Sequence, residues 1–243
     1  MSYLKFALDE LRQGSQSDIS FVDFAIRAEV EQLRARIAEC HFWFVAIPRT
    51  SSSYIQTSLG AQFGYPHGKQ SLTSNNTSAP IVQSALLPPH TPSFIVREIL
   101  GKELWQACNT FSVVRHPYAW SLSLWRYTKL YHNLGFSDGD FLTFLSELKA
   151  NIKSPRTQRN CYPSNYCQYD YVVERNSNKF LVKNILKFED RETINDFLLS
   201  VGLKSIPFRA GQMGSDSGDY NLDETEKAAV RKILEQDFDI LGY

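Results

Sequence analysis

A run of aromatic and β-branched residues, His41-Phe-Trp-Phe-Val-Ala-Ile47, decides the fold. Such a run is typical of a buried strand, and Pro48 ends it. The polar stretch Pro48-Arg-Thr-Ser-Ser-Ser53 comes next, and Tyr54 to Phe63 then follow a helical pattern. The sequence therefore predicts a strand, a loop of small polar residues and a helix, in that order.

The same alternation of strand and helix continues along the chain. Thr110 to Val114 and Asn184 to Phe188 predict two further buried strands. Helices are predicted at 21–39, 92–100, 117–131, 192–201 and 223–238. Strands that alternate with helices predict an α/β fold with a central, mainly parallel sheet that helices flank.

Cap residues indicate where further helices begin. We expect Thr91 to cap one helix, with Pro92 at its first position, and Asp138 or Asp140 to cap another that ends at Lys149. Stretches that show neither periodicity predict loops, and these are residues 64–89, 151–168 and 211–218.

The length and composition fit one folded domain. A chain of 243 residues with 43% apolar residues can bury a large core, so we expect one domain over residues 1–243, with residues 1–40 as a helical segment packed on it. Lys and Arg total 26, as do Asp and Glu, so the formal net charge is zero. This balance argues against binding to nucleic acid or to an anionic membrane surface, because both need an excess of basic residues.

The sequence also lacks the patterns of a membrane span, a secretion signal and a metal site. No apolar stretch reaches about 18 residues, and the first ten residues include the acidic pair Asp9-Glu10. We therefore expect a cytoplasmic protein without a membrane contact. The cysteines lack the spacing of a zinc site, so we expect reduced thiols at Cys40, Cys108, Cys161 and Cys167.

The loop from Pro48 to Ser53 has the features of an anion site. A loop that leaves a parallel strand and opens a helix presents main-chain N–H groups and the positive end of the helix dipole. Arg49 adds a forked positive group that suits phosphate or sulfate oxygens. An ordinary helix cap explains the Ser and Thr residues equally well. The chain has no Gly-x-x-x-x-Gly-Lys-[Ser/Thr] motif, which argues against an ATP-dependent kinase.

A second strand-end segment, Val113-Val-Arg-His-Pro117, strengthens the anion hypothesis. Arg115 lies where the second predicted strand meets its helix, and Ser123 follows just over two helical turns later. Together they suit a second phosphate, separate from the first. The alternatives are a helix-end ion pair for Arg115 and close helix packing at Ser123.

Five segments resemble, in the same order, sulfotransferases that use 3′-phosphoadenosine 5′-phosphosulfate (PAPS). Ile47 to Ser53 is similar to their 5′-phosphosulfate loop, usually Pro-Lys-Thr-Gly-Ser-Thr-Ser, and Phe111 to Trp125 is similar to their 3′-phosphate segment. His90 to Trp105 resembles a histidine-led stretch of the carbohydrate-type branch, or family 2. Asn184 to Glu189 and Asp237 to Tyr243 resemble the later strand and the closing motif of that branch.

This resemblance implies a three-layer, P-loop-like fold and an enzyme that moves a sulfuryl group from PAPS to a hydroxyl or amine. The acceptor would be a small molecule or a carbohydrate, the product would be adenosine 3′,5′-bisphosphate (PAP), and no metal would be needed. Arg49 and His90 would be catalytic, with His90 as the base that deprotonates the acceptor. The residues implied to hold the nucleotide are Arg49, Thr50, Ser51, Ser52 and Ser53 at the 5′-phosphosulfate, and Arg115 and Ser123 at the 3′-phosphate.

Three positions depart from the family pattern. Arg49 replaces a lysine that stabilises the bridging oxygen; arginine keeps the charge but is bulkier. Ser51 replaces the loop glycine, and Trp120 stands where the family often has a second arginine. Two alternatives therefore stay open: a degenerate module that binds the nucleotide without turnover, and a P-loop-like kinase that acts on a small molecule.

Overall fold

The computed structural model describes residues 19–52, 55–56, 59, 90–130, 136–153, 166–174, 177–203, 205 and 220–243. Within these ranges the elements are α1 (Ile19–Cys40), β1 (Phe42–Val45), α2 (Ser93–Leu100), α3 (Lys102–Ala107), β2 (Asn109–Val114), α4 (Pro117–Leu130), α5 (Phe141–Lys153), β3 (Asn184–Lys187), α6 (Arg191–Ser200), α7 (Glu224–Ile233) and α8 (Glu235–Leu241). A short 3-10 helix, Tyr169–Tyr171, lies between α5 and β3.

The three strands form a small parallel sheet in the order β1-β2-β3, as the alternation of strands and helices predicted. Val45 at the end of β1 pairs with Ser112, and Val114 at the end of β2 pairs with Lys187 at the end of β3. The carboxyl ends of the strands therefore lie at one edge of the sheet. Helices flank the sheet, which makes the described part of the chain an α/β fold, and ligands of such sheets usually bind at this edge.

The buried apolar side chains fall into two groups. One surrounds the sheet, where every residue of β1 is buried and α1, α2, α3 and α6 contribute side chains. The other joins α4, α5, α7 and α8 and includes Trp120 and Phe144. Leu33 and Ile37 of α1 belong to the first group, and Arg34 Nε donates to Ile99 O at 3.1 Å. The described part of α1 is thus packed on the sheet-bearing part.

Several helix ends differ from the predicted ones. Thr91 is not the cap of α2: the helix begins at Ser93 with Pro92 as its cap, and Pro92 O accepts from Ile95 N at 3.0 Å and Val96 N at 3.2 Å. The predicted helix at 223–238 is two helices, since the chain turns at Leu234, where φ is −109° and ψ is 28°. Asp140 does cap α5, by accepting from Thr143 N at 2.9 Å.

Other predictions fall partly or wholly outside the described residues. The loops at 64–89 and 211–218 lie outside them, as do residues 154–165 and most of the helix predicted from Tyr54. Helical structure in that region begins at Ser52. No helix in the described ranges combines the length and the apolar character needed to cross a membrane. Cys108 and Cys167 are both buried, and burial raises the pKa of the Cys167 thiol.

Candidate functional site

Hydrogen bonds from other elements hold the loop that follows β1. Trp120, which is fully buried on α4, donates from Nε1 to Pro48 O at 2.9 Å. Thr50 is also fully buried, and its hydroxyl donates to Ile47 O at 2.9 Å. The Thr50 hydroxyl therefore stabilises the loop itself. Trp120 anchors the loop to α4.

The main chain of this loop adopts left-handed conformations at two positions. Arg49 has a φ of 66° and Ser51 has a φ of 62°. This region of conformational space favours glycine, because a Cβ atom crowds the main chain there. Ser51, half-buried, thus takes the strained conformation that the family's glycine would adopt at less cost. Ser52 is buried at the start of the following helix, and Ser53 lies outside the described residues.

The Arg49 side chain leaves the loop and reaches α4. Its Nε donates to Ser123 Oγ at 3.2 Å, and its guanidinium carbon lies 4.5 Å from the centre of the Tyr127 ring. The hydroxyl oxygen accepts from Arg49, so its own hydrogen can still be donated to a ligand. The structure therefore joins two groups of residues that the sequence assigned to separate anion sites.

Arg115 approaches the same place from the end of β2. It is 7% exposed, and its Nη1 donates to Arg49 O at 3.4 Å, while its guanidinium carbon lies 4.7 Å from the centre of the Phe188 ring. Burial lowers the pKa of Arg115, Glu189 opposes this, and Arg49 acts in the same direction as burial. The ordinary pKa of arginine is so high that the group stays charged near neutral pH.

These side chains line one pocket at the carboxyl edge of the sheet, with a cavity volume of about 140 Å³. The residues around it are Arg49, Arg115, Ala119, Leu122, Ser123, Arg126 and Tyr220. Three of them are arginines, and none of the described lining residues is acidic. Like charges held this close repel each other, and an anion between them removes that cost. The cavity is large enough for a phosphate or sulfate group but smaller than a typical whole-nucleotide pocket.

An aromatic cluster borders the pocket beside Arg115. The rings of His116 and Tyr220 are stacked, with centres 4.9 Å apart. Glu189 accepts from His116 N at 2.7 Å and from the Tyr243 hydroxyl at 3.0 Å. Burial lowers the pKa of His116 although Glu189 acts in the opposite direction, so the ring is neutral near pH 7. His116 Nδ1 accepts from Tyr118 N at 3.3 Å, a contact that stabilises the turn into α4.

His90 lies near the end of β1, where it does not line the pocket. Its ring is half-buried, and Nδ1 is 2.8 Å from Ala46 O. A carbonyl oxygen only accepts, so Nδ1 carries the hydrogen and the neutral ring has its lone pair on Nε2. The contact fixes the tautomer that a general base at Nε2 requires. Ala46 follows β1 directly, which places His90 and the Arg49 loop at the same end of the strand.

Two polar lining residues, Arg126 and Tyr220, were not predicted from the sequence. Arg126 follows Ser123 by three positions on α4, and such a spacing puts both residues on one helix face. That signal was present in the sequence. Tyr220 joins the pocket only through the packing of the carboxyl-terminal helices, and no local pattern marks it. Within the described ranges, no group of three or more His, Cys, Asp or Glu residues is placed to hold a metal ion.

The pocket thus offers charge and hydrogen-bond donors for an anion with several oxygens, and a histidine of defined tautomer lies near the same strand end. The chain matches no family model, and neither a curated protein nor a solved structure is detectably similar to it over its sequence or fold.

Proposed function

We propose that this chain is a PAPS-dependent sulfotransferase with a P-loop-like, three-layer fold. The enzyme moves a sulfuryl group from PAPS to a hydroxyl or amine of a small-molecule or carbohydrate acceptor. The observation that carries the proposal is the meeting of Arg49, Arg115 and Ser123 in one pocket. These residues come from the two strand-end segments that resemble the 5′-phosphosulfate and 3′-phosphate segments of such enzymes.

The charges of the pocket suit this ligand. PAPS carries a phosphosulfate at the 5′ position and a phosphate at the 3′ position of the same ribose. The two segments of the protein that bind these groups therefore have to lie side by side. The hydrogen bond from Arg49 to Ser123, 3.2 Å long, is consistent with that arrangement. Arg115 is buried beside them and supplies the charge for the 3′-phosphate, while Arg126 adds a third positive group. Charge-assisted hydrogen bonds of this kind are about twice as strong as neutral ones.

The chemistry needs little beyond positioned charge. Sulfuryl transfer resembles phosphoryl transfer, in which charge spreads over equatorial oxygens while the attacking and leaving oxygens lie in line. Arg49 and the N–H groups of the loop would stabilise the charge that develops on the leaving phosphate. The acceptor hydroxyl forms the new S–O bond, the bond from sulfur to the phosphate oxygen breaks, and PAP leaves. The acceptor's proton would go to His90 Nε2.

The geometry around His90 supports its role as the base. Its Nδ1 contact with Ala46 O leaves Nε2 as the basic atom of the neutral ring. His90 stands outside the pocket lining, so the acceptor would bind between His90 and the pocket.

A second candidate function is a module that binds the nucleotide without turnover. Two features favour it: the left-handed conformation of Ser51, and arginine at position 49, where the sulfotransferases that the segment resembles have lysine.

A labelled-sulfate transfer assay tests the proposal. The protein is incubated with PAPS labelled in the sulfate and a mixture of hydroxyl and amine compounds, with and without EDTA, and products are detected by mass. We expect a sulfated product, no effect of EDTA, and a large loss of product with Arg115→Ala. Arg231→Ala is the matched control, because this exposed arginine pairs with Asp239 and is not part of the pocket lining. Transfer from labelled ATP that requires magnesium would support the kinase instead.

A further inference from the structure

A buried glutamine pairs with the main chain of Arg115. Gln168 is fully buried, and its Oε1 accepts from Arg115 N at 2.8 Å while its Nε2 donates to Arg115 O at 2.7 Å. At Val114, the residue before Arg115, the main-chain oxygen still accepts from Phe188 N, just after β3, at 2.7 Å. The two hydrogen bonds to Gln168 thus continue the main-chain pairing of β2 by one residue. The main chain of Arg115 is therefore held on both of its polar groups by one side chain 53 residues away.

A buried carboxyl group fixes the glutamine in turn. Asp237 of α8 is fully buried, and its Oδ2 accepts from Gln168 N at 3.1 Å and from Gln168 Nε2 at 3.4 Å. Its Oδ1 accepts from Tyr169 N at 2.9 Å. The amide nitrogen of Gln168 thus has acceptors for both of its hydrogens, in Arg115 O and Asp237. These contacts determine which way round the amide lies.

The chain of contacts runs from α8 to the anion pocket. Asp237 holds Gln168, Gln168 holds the main chain of Arg115, and the Arg115 guanidinium lines the pocket. A ligand's phosphate needs its donors placed to within a fraction of an ångström, and small displacements lower binding or rate sharply. A buried amide that loses its partners is also costly, so the arrangement has few alternatives.

We propose that Gln168 and Asp237 are positioning residues for the 3′-phosphate, which act by fixing the main chain of Arg115. The inference rests on the proposed function, because it takes the 3′-phosphate as the group that Arg115 binds. A purely structural role for the two residues would affect every ligand of the protein equally. A positioning role lowers the affinity only for ligands that carry the 3′-phosphate.

Calorimetric titration of the full chain with PAP and with AMP separates the two roles. Gln168→Met keeps the length of the side chain and removes its hydrogen bonds, and Asp237→Asn keeps the shape and replaces one acceptor by a donor. We expect both variants to lower the preference for PAP over AMP by about tenfold, with AMP affinity within about twofold of wild type. With PAPS as substrate, KM should rise while kcat at saturation changes little. Asp170→Asn is the matched control, because the Asp170 carboxylate lies in the same segment and accepts from Cys167 N at 2.9 Å.

The outcomes distinguish this inference from the proposed function. A wild-type protein that shows no preference for PAP over AMP contradicts the proposed function, and the inference falls with it. A wild-type preference that Gln168→Met and Asp237→Asn leave unchanged overturns the positioning role alone. Equal losses of PAP and AMP affinity, including those that come from failure to fold, also overturn it and leave Gln168 and Asp237 with a structural role.

Discussion

Arg49 and Ser123 are 74 residues apart in the sequence, yet Arg49 Nε donates to Ser123 Oγ at 3.2 Å. The contact joins the loop after β1 to the helix after β2, and parallel pairing of the two strands brings it about. Both residues also line the pocket that holds Arg115. The sequence assigned Arg49 and Ser123 to two separate anion-binding segments, and in the described part of the chain both segments contribute to this pocket.

Two substitutions separate the contribution of the positive charge at position 49 from that of the planar guanidinium group. Arg49→Ala should lower sulfate transfer by about 10²–10³-fold, because a group that stabilises the transition-state charge is lost. Arg49→Lys should keep transfer within about tenfold of wild type, since lysine restores the charge without the planar fork. Initial rates at saturating PAPS measure both. A lysine variant as inactive as the alanine variant would contradict this account of Arg49.

The left-handed main-chain conformation of Ser51 should destabilise the folded protein, and a glycine at this position should remove that cost. Its φ of 62° lies in the left-handed region, which costs about 1 kcal/mol for a residue with a side chain. Ser51→Gly should raise the free energy of unfolding by up to about 1 kcal/mol, less the entropy that glycine gains in the unfolded chain. Denaturant unfolding measures this. Ser52→Gly is the control, because Ser52 has no positive φ and should lose stability on the same change; equal effects at both positions would contradict the strain.

His90 should be needed for turnover and dispensable for nucleotide binding. His90→Asn retains an N–H near the position of Nδ1, so its contact with Ala46 O can persist, but it removes the basic nitrogen. We expect turnover of an aliphatic alcohol acceptor to fall by about 10²–10⁴-fold, with PAP affinity within a few-fold. Near-equal turnover in the two proteins would remove His90 from the chemistry.

The buried Asp237 should make stability depend on pH. Burial raises its pKa from the ordinary 3.8 to about 7, although the N–H groups of Tyr169 and Gln168 oppose the rise. The native state therefore binds a proton that the unfolded state releases, so the stabilisation is complete below about pH 4 and is lost as the pH rises through about 7.

Asp237→Asn tests this dependence because an amide stays neutral. The free energy of unfolding of wild type, relative to the Asn variant, should fall by about 4 kcal/mol between pH 4 and pH 8, as the rise of the pKa implies. Urea unfolding at several pH values gives the difference, and the other titrating groups cancel in it. A difference that does not change with pH would show that Asp237 is ionised throughout.

The strands and the parallel sheet could be predicted because their signals are local. Phe42 to Val45 lies within a run of apolar residues that Pro48 ends. Asp140 caps α5 as one of the two aspartates proposed. The break between α7 and α8 could not be predicted, because Val230, Leu234 and Phe238 keep a helical spacing through it and all are buried. No glycine or proline interrupts that pattern.

Local signals in the sequence also predicted some of the residues that line the pocket. Arg49 and Arg115 each follow a predicted strand, and the ends of parallel strands meet at one edge. Tyr220, Gln168 and Asp237 could not be found, because each reaches the site through packing between segments that are distant in the sequence. Such contacts leave no periodicity in the chain, and the resemblance of Asp237 to Tyr243 to a closing motif gives no sign of a contact with Gln168.

We propose above that the arginine pocket binds a nucleotide that carries a phosphate at both the 3′ and the 5′ positions. Calorimetric titration of wild type, Arg115→Ala and the Arg231→Ala control with PAP and with AMP tests it most directly. We predict that wild type binds PAP much more tightly than AMP. Arg115→Ala should weaken the binding of PAP by about 1.5–3 kcal/mol and leave the binding of AMP nearly unchanged, and Arg231→Ala should change the affinity for neither ligand. Equal affinity of wild type for PAP and AMP, or an equal loss of both ligands in Arg115→Ala, would contradict the claim.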